Sequence, residues 1–461
     1  MVFSSNIFLF VFLPLFLACY YLTPQRFRSA LILLFSYVFY AWWRPDFLWL
    51  LIGVTVGSYL FALKIDASSD ERRRKWLLGI AIALNLATLG YFKYANFGVQ
   101  AFNDLIGLFG MQPLAFAHVI LPIGLSFYIF HAISYLVDIY RKEVPPARSL
   151  VDFAAFIALF PHLVAGPVLR YHLLAEQFRH RVHSVNRFAK GCAIFMGGFC
   201  LKVLVADPIA PLADAAFALE RPHFVDAWLG ALAYTGQLFF DFSGYSTMAI
   251  GLALMIGFVF PKNFDDPYWS VSITDFWKRW HMSLSSWLRE YLYIPLGGNR
   301  KGPVRTYINL LLTMVLGGLW HGANWTFLAW GAWHGGILAA ERWLESRYGP
   351  SRLPQALRIA RTLLLVIIGW VMFRAASMHD AMKMFGGMLG MNGWGVSPEF
   401  AWHVTRDRLA MLVVAFVLVY ALPVVKRRAP PALGYLVIPL FLWAVATLSS
   451  QAFIPFLYFQ F

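Results

Sequence analysis

Twelve apolar runs, separated by short polar or basic gaps, are the feature that most limits what this chain can fold into. They cover 6–22, 28–43, 46–63, 76–92, 118–137, 190–206, 226–260, 304–320, 322–341, 360–376, 408–424 and 432–450. A membrane-crossing helix needs about 20 mainly apolar residues, roughly 17–25. The runs therefore predict an all-α, polytopic transmembrane helical bundle of about 11–12 spans with re-entrant segments, a single membrane domain over 1–461. Composition agrees: 60% of residues are hydrophobic and 13% charged, against about 45–50% and 25% in soluble chains. Aromatic residues, at 18%, suit two interfacial belts. The run 226–260 is too long for one straight span, and Asp241-Phe242-Ser243-Gly244 in its middle predicts a broken helix. Met1 to Asn6 holds no Lys or Arg, so the first helix is expected to be retained rather than cleaved as a signal.

The net charge of +15 is distributed as a topology signal and does not call for nucleic acid. Arg26 and Arg28, Lys64 with Arg72 to Lys75, Arg141, Lys142 and Arg148, and Arg170 to Lys190 sit in gaps on one side of the bundle. Lys262 to Arg305 and Lys426 to Arg428 join them by span parity. The positive-inside rule makes that side cytoplasmic and places both termini in the periplasm. Cys19, Cys192 and Cys200 lack paired spacing, so neither a disulfide nor a zinc site is expected. There is no metal motif, Walker A sequence or GxSxG, and no bound cofactor is expected.

Two cytoplasmic segments differ from ordinary loops. Residues 150–169 are apolar but interrupted by Pro161, Gly166 and Pro167, a pattern tolerated at membrane depth only inside protein or beside a water-filled cavity. Residues 271–296 alternate charged and aromatic groups, which predicts an amphipathic helix lying in the interface or dipping inward.

Ionisable residues at membrane depth are costly and mark candidate sites. His321 lies in 316–325, where glycines permit close backbone approach and a helix break, so it is expected on irregular backbone. It reads either as a general base or as a histidine bonded between packed helices. In 276–287, Lys278, Arg279 and His281 read either as an anion-binding set or as snorkelling groups on an interfacial helix. Asp241 can orient a histidine, pair with an arginine or cap a broken helix. The residues alone also leave open a transporter with a His321 and Asp241 proton relay, or a scaffold that recruits other enzymes.

The strings WHGANW (320–325), FWKRWHMSLSSWLREYLYIPLGGNR (276–300), DFSGYSTMAIGLALMIGF (241–258) and FPHLVAGPVLR (160–170) resemble the membrane-bound O-acyltransferase superfamily. The likeness extends over nearly the whole chain and is weakest over about 345–450. It implies that His321 is the catalytic histidine and that His281 lies near the catalytic tunnel. Asp241, Lys278, Arg279, Trp320 and Asn324 are then expected to support substrate binding. It further implies relay of acetyl from a cytoplasmic donor, with acetyl-CoA expected, across the bacterial inner membrane. Periplasmic partner acetyltransferases would then modify alginate. Another exopolysaccharide, such as acetylated cellulose, or a D-alanylated teichoic acid is the alternative acceptor.

Overall fold

The computed structural model describes residues 1–164, 166–428, 431–450 and 456–457, and the side chains of 426–428 and 431–433 are not described. Lys426, Arg427 and Arg428, part of the basic pattern, thus have a described backbone only. Helices occupy all twelve apolar runs, and the described residues contain no strand. Among the described residues, six helices are long and apolar enough to cross a membrane: Phe47–Ala67, Glu71–Gly107, Val185–Ala218, Phe224–Met255, Gln355–Arg374 and Arg406–Val425. Phe8–Leu22, Leu125–Tyr140 and Gly434–Ser450 are apolar but shorter. The helices Pro303–His321 and Trp325–Tyr348 are not among the six, because polar groups such as Asn309, Thr313, His334 and Glu341 interrupt them.

Helix starts follow side-chain chemistry. Ser149, Ser272 and Ser377 each precede an Asp by three residues, and each serine hydroxyl accepts the backbone N–H of that Asp, at 3.1, 3.0 and 3.1 Å. This satisfies a donor that the first helical turn leaves open.

The chain forms two compact units. The first comprises Met1–Cys192 and Ala249–Phe260, the second Ala193–Met248 and Pro261–Phe461. In the first, the interrupted segment folds as Leu150–Ala158 and Phe160–Leu163, with Phe153 to Leu163 buried throughout. Its placement inside protein fits the backbone requirement at membrane depth.

Two expectations about helix continuity are corrected. The helix Phe224–Met255 runs unbroken through Asp241 to Gly244. Gly244 serves close packing: a Cβ there would lie 2.8 Å from Gly198 O, and one on Gly198 would lie 2.5 Å from Gly244 O. Between helices in lipid, such small-residue contacts supply the packing that the hydrophobic effect does not. Conversely, 271–296 is not one interfacial helix. It divides into Ile273–Arg279 and Met282–Leu288, followed by a π-turn at Arg289–Tyr293. The division falls at His281, whose φ of 44° is left-handed.

Candidate active site

The helix Pro303–His321 returns through 322–324 into Trp325–Tyr348, and glycines set how closely the two pack. A Cβ on Gly318 would lie 2.2 Å from Phe327 O, and one on Gly331 would lie 2.4 Å from Met314 O. His321 is not on irregular backbone. It closes the first helix, and the break follows at Gly322, whose N–H donates to Gly318 O at 3.2 Å. The break is there because Gly322 turns extended under the Phe327 ring, which a Cβ would meet at 2.0 Å.

His321 is 7% exposed. Its ring packs edge-to-face against Trp320, Trp330 and Phe373, with centroids 5.0, 5.2 and 5.2 Å away. Such contacts fix ring orientation. Beside Phe373, Arg374 pairs with Asp214 at 2.6 Å and holds that end of Gln355–Arg374 in place.

His281 approaches the same indole from the other segment, its ring centroid 6.4 Å from Trp320 and 4.7 Å from Phe242. It is fully buried. Its Nδ1 lies 3.3 Å from Asn263 Oδ1, while its Nε2 has no hydrogen-bond partner among the described residues. Asn263 Oδ1 also accepts from Ser283 N at 3.1 Å and Ser283 Oγ at 2.8 Å, and Asn263 O accepts from Met282 N at 2.9 Å. This clamp imposes the left-handed turn at His281. Replacing Asn263 by Ala removes the side-chain oxygen that Ser283 and His281 share. Detergent-solubilised protein is expected to lose about 1–3 kcal/mol of stability, read as a lower thermal unfolding midpoint. An unchanged midpoint would remove Asn263 from this role.

The remaining expected residues divide. Trp320 is buried and touches both histidines. Asn324 is taken up in structure: its Oδ1 accepts from Thr326 N at 3.2 Å, capping the second helix, and its Nδ2 donates to Ala376 O at 2.7 Å. Arg279 is already bonded, to Asp275 at 2.9 Å and to Asp265 O at 3.4 Å, whereas Lys278 is exposed. Asp241 is buried, and its Oδ2 accepts from Leu457 N at 3.0 Å. On the same helix, Gly244 packs near Lys202, which pairs with Asp207 at 2.5 Å.

The sequence reading missed His334. It is fully buried, and neither ring nitrogen has a hydrogen-bond partner among the described residues. Trp330 stands between it and His321, 5.1 Å from His334, and Trp277 lies 5.4 Å from His334. A signal existed: Trp-His-Gly occurs at 320–322 and again at 333–335. Trp277 also touches Trp330 at 5.6 Å, so the 271–296 segment faces the hairpin through aromatic contacts.

Residues 141–382 match the profile of the membrane-bound O-acyltransferase family. The chain is 51% identical to a protein of Pseudomonas putida described as a probable alginate O-acetylase, over 100% of both chains. The Pseudomonas aeruginosa protein of the same description is 56% identical over 90% of this chain and 80% of its own length. A peptidoglycan O-acetyltransferase of Helicobacter pylori is 34% identical over 92% of this chain and 87% of its own.

Proposed function

This chain belongs to the membrane-bound O-acyltransferase family, and from that premise we propose that it relays acetyl groups across the bacterial inner membrane for the O-acetylation of alginate. It is a multi-pass membrane enzyme that transfers acyl groups to oxygen. The observation that carries the chemical reading is the placement of His321. An imidazole closes a helix within an aromatic wall, one indole away from a second buried imidazole. The descriptions of the full-length relatives support alginate as the polymer finally modified.

In the proposed reaction, an acceptor hydroxyl attacks the carbonyl of acetyl-CoA presented from the cytoplasm. His321 takes the hydroxyl proton as the new C–O bond forms and returns it to the sulfur as the C–S bond breaks. The histidine ends unchanged, and acetyl passes through the protein without its carrier. His281 Nε2 and the exposed Lys278 position the donor, since Arg279 is held by Asp275. Acetyl then reaches periplasmic acetyltransferase partners.

The test is a purified-protein assay with radiolabelled acetyl-CoA and the periplasmic partner. Label should reach the partner only when the full chain is present. Labelled polysaccharide that crossed vesicles with no acyl donor would favour transport instead. The orientation in this proposal has its own check. A topology reporter fused after Arg74 should report the cytoplasm, because Arg72, Arg73 and Arg74 follow the third apolar run. A periplasmic signal there would reverse the assignment of both faces.

A further inference from the structure

Away from the histidine centre, the first unit gathers positive groups that form no ion pair with a carboxylate among the described residues. The Tyr20 hydroxyl donates to Ile256 O at 2.8 Å, so its oxygen accepts from His183 Nε2 at 3.0 Å. Arg28 Nη1 lies against the same imidazole, 3.4 Å from Nε2 and 3.5 Å from Nδ1. Arg28 is steadied by Thr23 O, 3.1 Å from its Nε, and by the Tyr20 ring beneath its guanidinium at 5.0 Å.

Arg181 enters from the other side. It is 9% exposed, stacks over Phe258 at 5.1 Å, and places Nη2 3.4 Å from Ser29 Oγ. Its Nη1 is buried and has no hydrogen-bond partner among the described residues. Asp152 acts on Arg181 only at a distance. Its carboxylate accepts from Ser149 Oγ at 2.9 Å and forms no ion pair with either arginine among the described residues. A buried guanidinium without an ion-pair partner is costly, and Arg181 has none among the described residues.

Two further features favour an anion. The helix Arg28–Ala41 begins at this cluster, and its N-terminal dipole end attracts negative charge. Burial first, then Arg28 and Arg181, hold His183 below its usual pKa. Both arginines thus disfavour a further positive charge on the imidazole.

We propose that Arg28 and Arg181, with Ser29 beside them, form a binding site for a phosphate ester. Guanidinium forks match phosphate oxygens in geometry as well as charge. The phosphate belongs either to a membrane phospholipid headgroup or to a soluble phosphorylated thioester carrier such as coenzyme A. The site rests on its own geometry and does not depend on which acceptor the enzyme acetylates.

The full chain in detergent distinguishes these sources with two probes. Native mass spectrometry measures retention of phosphatidylglycerol against phosphate-free diacylglycerol, and equilibrium dialysis measures binding of radiolabelled coenzyme A. Arg181→Gln and Arg28→Gln should each weaken one of the two probes about tenfold. Arg187→Gln, which alters a half-exposed guanidinium bonded to Val182 O at 3.2 Å, should leave both unchanged. Loss confined to phosphatidylglycerol assigns a headgroup, and loss confined to coenzyme A assigns the carrier. Arg28→Gln gives the same reading if the more buried Arg181 variant fails to fold. Unchanged binding of both probes in folded variants would overturn the site, as would an equal loss with Arg187→Gln.

Discussion

Replacing His321 with Ala should slow acetyl transfer about 100- to 10,000-fold, the range that a positioned general base contributes, while the protein still folds and inserts. The expectation follows from what surrounds the ring. Trp320, Trp330 and Phe373 touch it, and none can take a proton from a hydroxyl. His334 has Trp330 standing between it and His321, and His281 lies against the far indole, so neither offers a ready substitute. His321→Asn separates chemistry from packing, because it fills much of the space and supplies polar atoms but no base. Both variants should show the same loss in initial rate with unfolding midpoints close to the parent. Transfer within threefold of the parent rate in either folded variant would exclude His321 as the base.

The architecture was legible where length alone decides it. The runs 46–63 and 360–376 became the helices Phe47–Ala67 and Gln355–Arg374, because lipid leaves an apolar run of that size few options. Glycine was harder to interpret, because one residue type serves opposite ends. At Gly244 it admits the backbone of Gly198 and leaves the helix whole, whereas at Gly322 it ends a helix beneath the Phe327 ring. Only the partner, remote in sequence, distinguishes the two. The same limit hid the turn at His281. A left-handed histidine carries no local signal, and the residue that imposes it, Asn263, lies 18 positions away. Asn324 shows the reverse error: a polar residue beside the key histidine looked like site chemistry, yet its side chain caps one helix and ties down Ala376.

How tightly the hairpin is packed should determine whether His321 works, and two substitutions isolate that dependence. Gly318 and Gly336 lie on opposite helices of the same hairpin. A Cβ on Gly318 would meet Phe327 O at 2.2 Å, whereas one on Gly336 would meet nothing within 4 Å. The obstacle at Gly318 is backbone, so the helices themselves must separate by on the order of 1 Å, and overpacking of this kind costs about 1–3 kcal/mol. His321 sits three residues beyond Gly318, and its aromatic wall comes partly from Trp330 on the opposing helix. Separation therefore moves the imidazole relative to its surroundings, and a displacement of about 1 Å can reduce rate about 100-fold. Gly318→Ala should lower both the unfolding midpoint and acetyl transfer. Gly336→Ala should leave transfer intact and raise stability by about 0.5–1 kcal/mol, since alanine is the better helix former. Thermal unfolding and initial rates measured on the same preparations decide the matter. Equal behaviour of the two variants would mean that the glycine contact does not set the position of His321.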